Sequence, residues 1–313
     1  MPSPGKEVLF SLIRSFLHHL DVLNYMPGTI KGRACCLEHF ARYLDDQGIH
    51  DLRSVTRADL ETYLCIIRKS FRSDRQKTMR DATVCDRWQA IRSFFRFLVK
   101  RGHLLFDPTD AIEPPRLTVR GERIPLTIAE MEALLSSPAT KKEAGLRDRA
   151  ILELLYATGI RRQELINLTL FDVDLAGRTL RIRGKGRKER LVPLGETAAR
   201  YLSRYLHRAR PSMNRARRKK ALFIGKYGEP LAGHGVACIV AKYAARAGIE
   251  RRVTPHLLRH TCASHLLEGG ADLFMIQQLL GHAKAETTQI YAKTSLDTLK
   301  KVHRDCHPRG KTV

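Results

Sequence analysis

Four side chains in the last quarter of the chain have types that could act together on a phosphate group. His256 and Arg259 lie in the segment PHLLRH, His282 ends the segment LLGH, and Tyr291 ends the segment TTQIY. A guanidinium binds phosphate oxygens through a planar fork, imidazoles exchange protons near neutral pH, and a phenol can attack phosphorus. We therefore predict phosphoryl-transfer chemistry, with cleavage of nucleic acid as the first hypothesis.

A second arginine extends this set, although it lies about a hundred residues earlier. Arg161 follows Gly159 in the segment ATGIRRQEL. Two guanidiniums can neutralise the non-bridging oxygens of a phosphate without a metal ion. For Arg161 taken alone, an ordinary surface arginine beside Arg162 is the alternative interpretation.

Two of the histidines have a spacing that could also hold a metal ion. His256 and His260 are four residues apart, but no glutamate follows His256 as the HExxH pattern requires. The seven cysteines are odd in number and form no CxxC pair, which favours reduced, packed thiols. We predict no metal site and no cofactor.

The composition indicates a polyanionic partner. The chain has 56 Lys and Arg against 32 Asp and Glu, a formal charge of +24. Such an excess favours binding to DNA or RNA with strong salt dependence, and a merely basic surface is the alternative. No apolar run reaches the roughly 18 residues of a bilayer span, and the first residues do not have the layout of a signal peptide. We therefore expect a cytoplasmic protein with no membrane contact.

The length of 313 residues suggests two domains. Apolar residues recur at helical spacing in four segments near residues 8–20, 30–46, 56–67 and 84–98, which predicts a helical domain over residues 1–106. The polar segment FRSDRQKTMRD between the third and fourth helices is interpreted as a solvated loop, and a contact with a phosphate backbone is the alternative. Four prolines without apolar periodicity then predict an extended, flexible linker over residues 107–125.

The second domain is predicted over residues 126–313. Thr127 and Glu130 have the spacing of a capping box, and the helix around residues 150–155 should stop at Gly159. The segment TLRIRGKGRKERLVP then alternates around a Gly-Lys-Gly centre, which predicts a β-hairpin with a cationic tip. Helices are expected again at residues 196–210, 233–247, 256–267, 272–280 and 295–305.

Several of these motifs resemble the tyrosine recombinase (phage integrase) family, and most closely its bacterial Xer-type members. They are ATGIRRQEL, GKGRKERLVPLG, PHLLRHTCASHLLEGGAD, LLGH and TTQIY, and they extend over nearly all of the second domain. The first domain resembles the family's helical, SAM-like core-binding domain more loosely. The resemblance implies a mainly helical α+β fold with a small β-hairpin or sheet, in which a core-binding domain precedes a catalytic domain.

The resemblance also implies the roles of six catalytic residues. Tyr291 would be the nucleophile, Arg161 and Arg259 would clamp the phosphate, and Lys185 would be the lysine of the hairpin. The two remaining site residues would be histidines. His256 is the candidate base for the phenol, Lys185 the candidate acid for the departing 5′ oxygen, and His282 a hydrogen-bond donor to the phosphate.

Other residues would support this site. Glu164 and His260 are expected to orient the catalytic side chains, and Gln163 departs from the Ser or Gly that is more usual in the family. The hairpin is expected to follow DNA phosphates through Arg181, Arg183, Arg187, Lys188 and Arg190. Residues 208–220 are either a solvated loop or a further DNA contact.

The predicted function is site-specific DNA recombination through a 3′-phosphotyrosyl intermediate, in integration, excision or dimer resolution. The expected partner is a double-stranded recombination site. The expected assembly is a tetramer on two DNA sites, formed by this chain alone or with a related recombinase, with the last helix docked on a neighbouring protomer. We expect it at the bacterial nucleoid. The alternatives are a catalytically silent DNA-binding accessory protein and a relaxing enzyme similar to type IB topoisomerases.

Overall fold

The computed structural model describes residues 4–69, 71–72, 77–78, 81–115, 124–184, 189–213, 220–225, 227–281 and 296–310. The chain forms two compact units, Met1–Gly121 and Glu122–Val313. Each unit has its own apolar core. Among the helices in these ranges, none combines the length and the apolar composition that crossing a bilayer requires.

The described part of the first unit consists of helices and one pair of short antiparallel strands. Its elements are α1 (Pro4–Val22), α2 (Pro27–Asp46), α3 (Arg57–Lys69), β1 (Phe71–Arg72), β2 (Lys77–Thr78) and α4 (Asp81–Lys100). The four predicted helices are confirmed. The segment predicted as a solvated loop contains β1 and β2 instead, because Phe71 pairs with Thr78 and Arg72 with Lys77.

Aromatic side chains fill the core of the first unit. Trp88 of α4 is buried, and Phe94 on the same helix packs edge-on against Phe16 of α1. The start of α3 is fixed by the predicted capping box: the Thr56 amide donates to Asp59 Oδ2 at 2.8 Å and the Asp59 amide donates to Thr56 Oγ1 at 3.3 Å. The helical periodicity thus places one stripe of each helix in a common core.

The first part of the predicted linker belongs to this unit. Asp107 Oδ1 accepts hydrogen bonds from the Thr109 amide at 2.8 Å and from its hydroxyl at 2.6 Å, which closes a turn. The turn buries Thr109 and inserts Ile112 into the apolar core. The described first unit therefore extends beyond residue 106, where the sequence predicted its end. The sequence could not reveal this, because a single buried isoleucine has no periodicity.

The second unit contains more helices and a small sheet. Its helices in the described ranges are α5 (Ile128–Ser136), α6 (Glu143–Thr158), α7 (Arg162–Asn167), α8 (Glu196–Arg204), α9 (Arg210–Met213), α10 (Gly233–Arg246), α11 (Pro255–Glu268), α12 (Leu273–Leu280) and α13 (Leu296–Cys306). A π-helical turn, Tyr205–Ala209, joins α8 to α9. The mainly helical α+β class is confirmed.

The sheet has three antiparallel strands in the order β3 (Val173–Asp174), β4 (Thr179–Arg183) and β5 (Glu189–Pro193). Strands β4 and β5 form the predicted hairpin. Their register pairs Ile182 with Arg190 and Arg181 with Leu191. Cross-strand partners lie on the same face of a sheet, so Arg190 shares the face of the buried Ile182.

Helix α6 lies at the centre of this unit. Every residue from Gly145 to Thr158 is buried. The charged residues among them are paired, Arg147 with Asp148 and Arg149 with Glu153, as buried charges require. The predicted capping box of Thr127 and Glu130 starts α5. Gly159 ends α6 in the left-handed conformation, with φ of 57°, as the sequence predicted.

Helix α13 packs on its own unit in this structure. Leu299 joins the core, and Val302 packs against it. His303 Nε2 lies 2.7 Å from the carbonyl oxygen of Ala157, and His307 Nε2 lies 3.2 Å from that of Tyr156. The face expected to dock on a neighbouring protomer is therefore covered by the chain itself.

Candidate active site

The turn after α6 positions Arg161 and packs directly on two other helices. A side-chain carbon at Gly159 would collide with Leu280 Cδ2 of α12 and lie 3.2 Å from Cys262 Sγ of α11. Glycine is therefore required both by the backbone angle and by the close approach. This contact brings the turn, α11 and the end of α12 to one place.

Arg259 of α11 is held between two of these elements. Its Nη1 donates to the carbonyl oxygen of Gly159 at 2.6 Å and its Nη2 donates to that of Leu280 at 2.8 Å. Burial, followed by the positive charge of Arg161, lowers the pKa of Arg259 to about 10. The guanidinium therefore stays positively charged near neutral pH.

Arg161 reaches the same end of α12. Its Nη2 donates to the carbonyl oxygen of Gly281 at 3.0 Å, and its Nη1 donates to Glu164 Oε1 at 3.0 Å. Glu164 also accepts the backbone amide of Arg161 at 2.8 Å, which caps α7. The structure thus brings the two predicted clamp arginines together on adjacent carbonyls.

Glu164 is buried and takes a second guanidinium. Arg190 Nη1 and Nη2 donate to Glu164 Oε1 and Oε2, each at 2.9 Å. Burial acts to raise the pKa of Glu164, but the hydrogen bonds from Arg190 and Arg161 outweigh it and the pKa is lowered. Glu164 is therefore an ionised anchor for both arginines.

Arg190 was predicted to contact DNA, and its position differs from that prediction. Its side chain points inward with Ile182 because of the strand register. Strict alternation along the strand ERLVP could have revealed this orientation, since Val192 on the same face is buried. The structure makes Arg190 part of the network behind Arg161.

Two other arginines of the hairpin are half exposed. Arg181 Nε lies 3.4 Å from Asp172 Oδ1, and Arg183 Nη2 lies 3.1 Å from the same oxygen. Burial raises the pKa of Asp172, but hydrogen bonds from Thr169 and the nearby arginines lower it overall. Lys185, Arg187 and Lys188 lie outside the described residues.

The histidines of α11 occupy different environments. His256 and His260 are both exposed, on the first two turns of the helix. His265 is buried, with Nδ1 2.8 Å from the hydroxyl of Tyr156. His256 is therefore accessible from solvent and His265 is part of the core, while His282 and Tyr291 lie outside the described residues.

Within the ranges that the structure describes, no three His, Cys, Asp or Glu side chains are arranged to hold a metal ion. The positive charge at the end of α12 comes from the guanidiniums of Arg161, Arg259 and Arg190.

Known proteins match this chain over most of its length. A model of the phage integrase family matches residues 125–297. Tyrosine recombinase XerD of Listeria monocytogenes is 39% identical over 302 residues, which cover 96% of this chain and 99% of that protein. Tyrosine recombinase XerC 2 of Ralstonia nicotianae is 38% identical over 305 residues, which cover 96% of this chain and 86% of that protein.

Two solved structures have the same fold. A lambda integrase (75-356) dimer bound to a COC' core site matches with a TM-score of 0.66 and 19% identity, over 92% of this chain and 98% of that chain. The XerH recombinase bound to difH substrate, in a pre-cleavage complex, matches with a TM-score of 0.65 and 22% identity, over 88% of this chain and 76% of that chain. The two-domain architecture predicted from the motifs is confirmed.

The sequence relatives favour a recombinase over the two alternatives, a silent accessory protein and a relaxing enzyme. The family match includes the arginine turn, the hairpin, α11 and α12. The chain belongs to the phage integrase family and is an Xer-type, tyrosine-type site-specific recombinase.

Proposed function

We propose that this recombinase breaks DNA strands by attaching Tyr291 to a 3′ phosphate and rejoins them by the reverse reaction. The observation that best supports the proposal is the convergence of Arg161 and Arg259 on the carbonyls of Gly281 and Leu280. Gly281 is followed directly by His282 in the sequence. The carbonyls that the arginine pair binds thus directly precede the segment that carries His282 and Tyr291.

The two guanidiniums would bind the scissile phosphate. An arginine has five N–H donors, and Arg259 uses two of them on carbonyl oxygens. The Arg161 side chain is 40% exposed, so a phosphate can reach it. Donors that are already held in place stabilise the charge of the transition state without reorganising during the reaction.

The remaining roles concern proton transfer. The phenolic oxygen of Tyr291 attacks phosphorus while the bond to the 5′ oxygen breaks. His256 takes the phenolic proton, Lys185 gives a proton to the 5′ oxygen, and His282 donates a hydrogen bond to the phosphate. Because one phosphoester replaces another, the step needs no nucleotide cofactor, and the arginines supply the charge that a metal ion supplies elsewhere.

The assembly follows from the reaction. Exchange between two duplexes breaks four strands and requires four active sites, so we propose a tetramer of this chain, or of this chain with a related recombinase, acting at the bacterial nucleoid. The first unit would be the core-binding domain and the second the catalytic domain. The charge of +24 and the half-exposed Arg181 and Arg183 support phosphate contacts along the duplex.

Covalent trapping tests the proposal. DNA ends attached to the protein in cells are first sequenced to identify the target, and a nicked suicide substrate of that sequence is then used in vitro. Wild-type protein should form a stable adduct, and Tyr291→Phe should bind the same DNA without forming one. Tyr227→Phe, at an exposed tyrosine of the same unit, is the matched control and should form the adduct normally. A normal adduct with Tyr291→Phe would exclude Tyr291 as the nucleophile.

A further inference from the structure

Arg190 lies on the opposite face of the hairpin from Arg181 and Arg183. Its side chain is 17% exposed, against 42% for Arg181 and 51% for Arg183. Its bidentate pair with Glu164 uses both terminal nitrogens of the guanidinium. Arg190 is thus mostly covered and held in a fork on a buried carboxylate, so it presents little of its guanidinium to a DNA backbone.

The shared carboxylate determines the charge left at the site. Glu164 carries one negative charge and receives hydrogen bonds from both Arg161 and Arg190. If Arg161 were its only partner, the two charges would cancel. Because Arg190 takes part in the pairing, the two arginines and the glutamate keep one net positive charge, and Arg161 can still attract a phosphate.

Arg190 also fixes the end of α12. Three consecutive carbonyls there accept from three different arginines: Leu279 from Arg190 Nε at 3.4 Å, Leu280 from Arg259, and Gly281 from Arg161. The last carbonyls of a helix lack partners within it and carry partial negative charge, so cations are favoured there. The Arg190 guanidinium also occupies the space beside Gly281, where an added side-chain carbon would lie 2.9 Å from its Cζ.

From this geometry we propose that Arg190 is a positioning residue for strand cleavage. It holds Glu164 and the end of α12 so that Arg161 and Arg259 present their remaining donors to the phosphate. Since Arg190 lies on the returning strand of the hairpin, it also ties the hairpin that carries Lys185 to the clamp. The inference rests on the proposed function, and it assigns Arg190 to the reaction rather than to DNA contact.

Single-turnover cleavage of the suicide substrate at saturating DNA tests the assignment. Arg190→Ala should slow adduct formation by about 10²-fold, the loss that a displacement of about 1 Å in a reacting group can produce. Arg190→Lys keeps the charge but cannot form the fork, so it should recover only part of the rate. Arg200→Ala, which removes the same charge from an exposed site on α8, should cleave like the wild type.

DNA affinity across salt concentrations separates positioning from phosphate contact. The slope of log Kd against log salt should be unchanged in Arg190→Ala and Arg190→Lys, because neither loses a phosphate contact. If the magnitude of this slope fell by about 1, the value for one lost phosphate contact, and the rate at saturating DNA stayed normal, Arg190 would belong to the DNA interface. That result would overturn the proposal. Arg190→Lys keeps the test valid if Arg190→Ala does not fold.

A double substitution tests whether Arg190 acts through Glu164. Glu164→Gln and Arg190→Lys should each slow cleavage, and the combined variant should be little slower than the worse of the two. Losses that multiply fully would show that Arg190 does not act through Glu164. Absence of any adduct in the wild type would refute the proposed function instead, so the two failures are distinguishable.

Discussion

Arg161 and Arg259 approach α12 from different elements, and each donates to a carbonyl that the other does not use. Neither arginine can therefore replace the other. We expect Arg161→Ala and Arg259→Ala each to slow single-turnover cleavage by about 10² to 10³, the usual loss for one preorganised donor. The measurement is adduct formation on the suicide substrate at saturating DNA.

The neighbour of Arg161 provides the control for this pair. Arg162 has the same charge and is exposed on the first turn of α7. Arg162→Ala should change the rate little, since its side chain takes no part in the hydrogen bonds to α12. A loss as large as that of Arg161→Ala would mean that the charge of this turn matters and that the geometry described for Arg161 does not.

The convergence of Arg161 and Arg259 could be predicted from the sequence, but their hydrogen-bond partners could not. Arg161 and Arg259 were predicted from their motifs, and the structure brings them together. Their acceptors are main-chain carbonyls, which every residue has and which leave no trace in a sequence. Arg190 was predicted as a DNA contact because the hairpin is rich in basic residues. The direction of the Arg190 side chain depends instead on the strand register, which composition does not give.

At the scale of elements, the close contact at the end of α6 should be sensitive to substitution. Gly159→Ala would place a non-glycine residue at a φ of 57° and would also bring a carbon against Leu280. We expect a loss of more than about 1 kcal/mol in the free energy of unfolding, together with slower cleavage, because Gly159 supplies an acceptor of Arg259. Chemical denaturation followed by circular dichroism measures the first effect.

Gly248 is the matched control for this substitution. It has a φ of 74° and no atom within 4 Å of the position where a side-chain carbon would be added. Gly248→Ala should therefore lower the free energy of unfolding only by the cost of the left-handed backbone angle, and it should cleave at the wild-type rate. Equal losses for the two alanine variants would indicate that the contact with Leu280 adds nothing.

The histidines that hold α13 should make the stability of the second unit depend on pH. Burial lowers the pKa of His303, and burial together with the neighbouring His303 lowers that of His307 well below its ordinary value. Both pKa values are lower in the folded protein than in the unfolded chain. Below about pH 6.5 the unfolded chain therefore binds more protons, and the free energy of unfolding falls as the pH falls. Each histidine can contribute up to about 1.4 kcal/mol per pH unit.

Unfolding at about pH 7.5 and about pH 5.5 measures this dependence. The difference in free energy between the two pH values should be smaller in His303→Gln and in His307→Gln than in the wild type. His207→Gln, at an exposed histidine of the same unit, should leave it unchanged. The same pH dependence in all four proteins would show that these buried histidines are not responsible.

Long elements could be predicted from periodicity, whereas short ones could not. The helices of the first unit and the hairpin of the second were predicted because each has several turns or several alternating residues. Strands β1, β2 and β3 have two residues each, which is too few for any period to appear. The π-helical turn at Tyr205–Ala209, between α8 and α9, could not be told from an α-helix by its apolar residues either.

For the whole molecule, the extent of the first unit determines where the connection to the second begins. Ile112 is buried in the first core and Ile124 is 68% exposed, although both lie in the predicted linker. Ile112→Ala should lower the free energy of unfolding of the first unit by about 2 to 4 kcal/mol. Ile124→Ala should change it by less than about 0.5 kcal/mol.

Trp88 makes this prediction measurable in the full chain. It is the only tryptophan, and it is buried in the first core, so its fluorescence reports on that unit. The urea midpoint by fluorescence should fall for Ile112→Ala and stay constant for Ile124→Ala. Equal midpoints for all three proteins would mean that residues 107–112 contribute no stability to the first unit.

The class of fold, the number of units and the basic character could all be predicted from length, periodicity and charge. The end of the first unit could not. Prolines show that a segment cannot continue a helix, but they do not show whether it packs. Here an aspartate-closed turn after Lys100 keeps the chain on the first unit as far as Ile112.

The docking of α13 sets a tether length for the proposed nucleophile. Tyr291 is five residues before Leu296, where α13 begins, and ten residues after Gly281. Fully extended chains of these lengths span about 18 Å and about 35 Å. The shorter length ends at α13, which is held on its own unit through Leu299, His303 and His307. If Tyr291 is the nucleophile, as proposed, the phosphate that it attacks must therefore lie within about that distance of the start of α13.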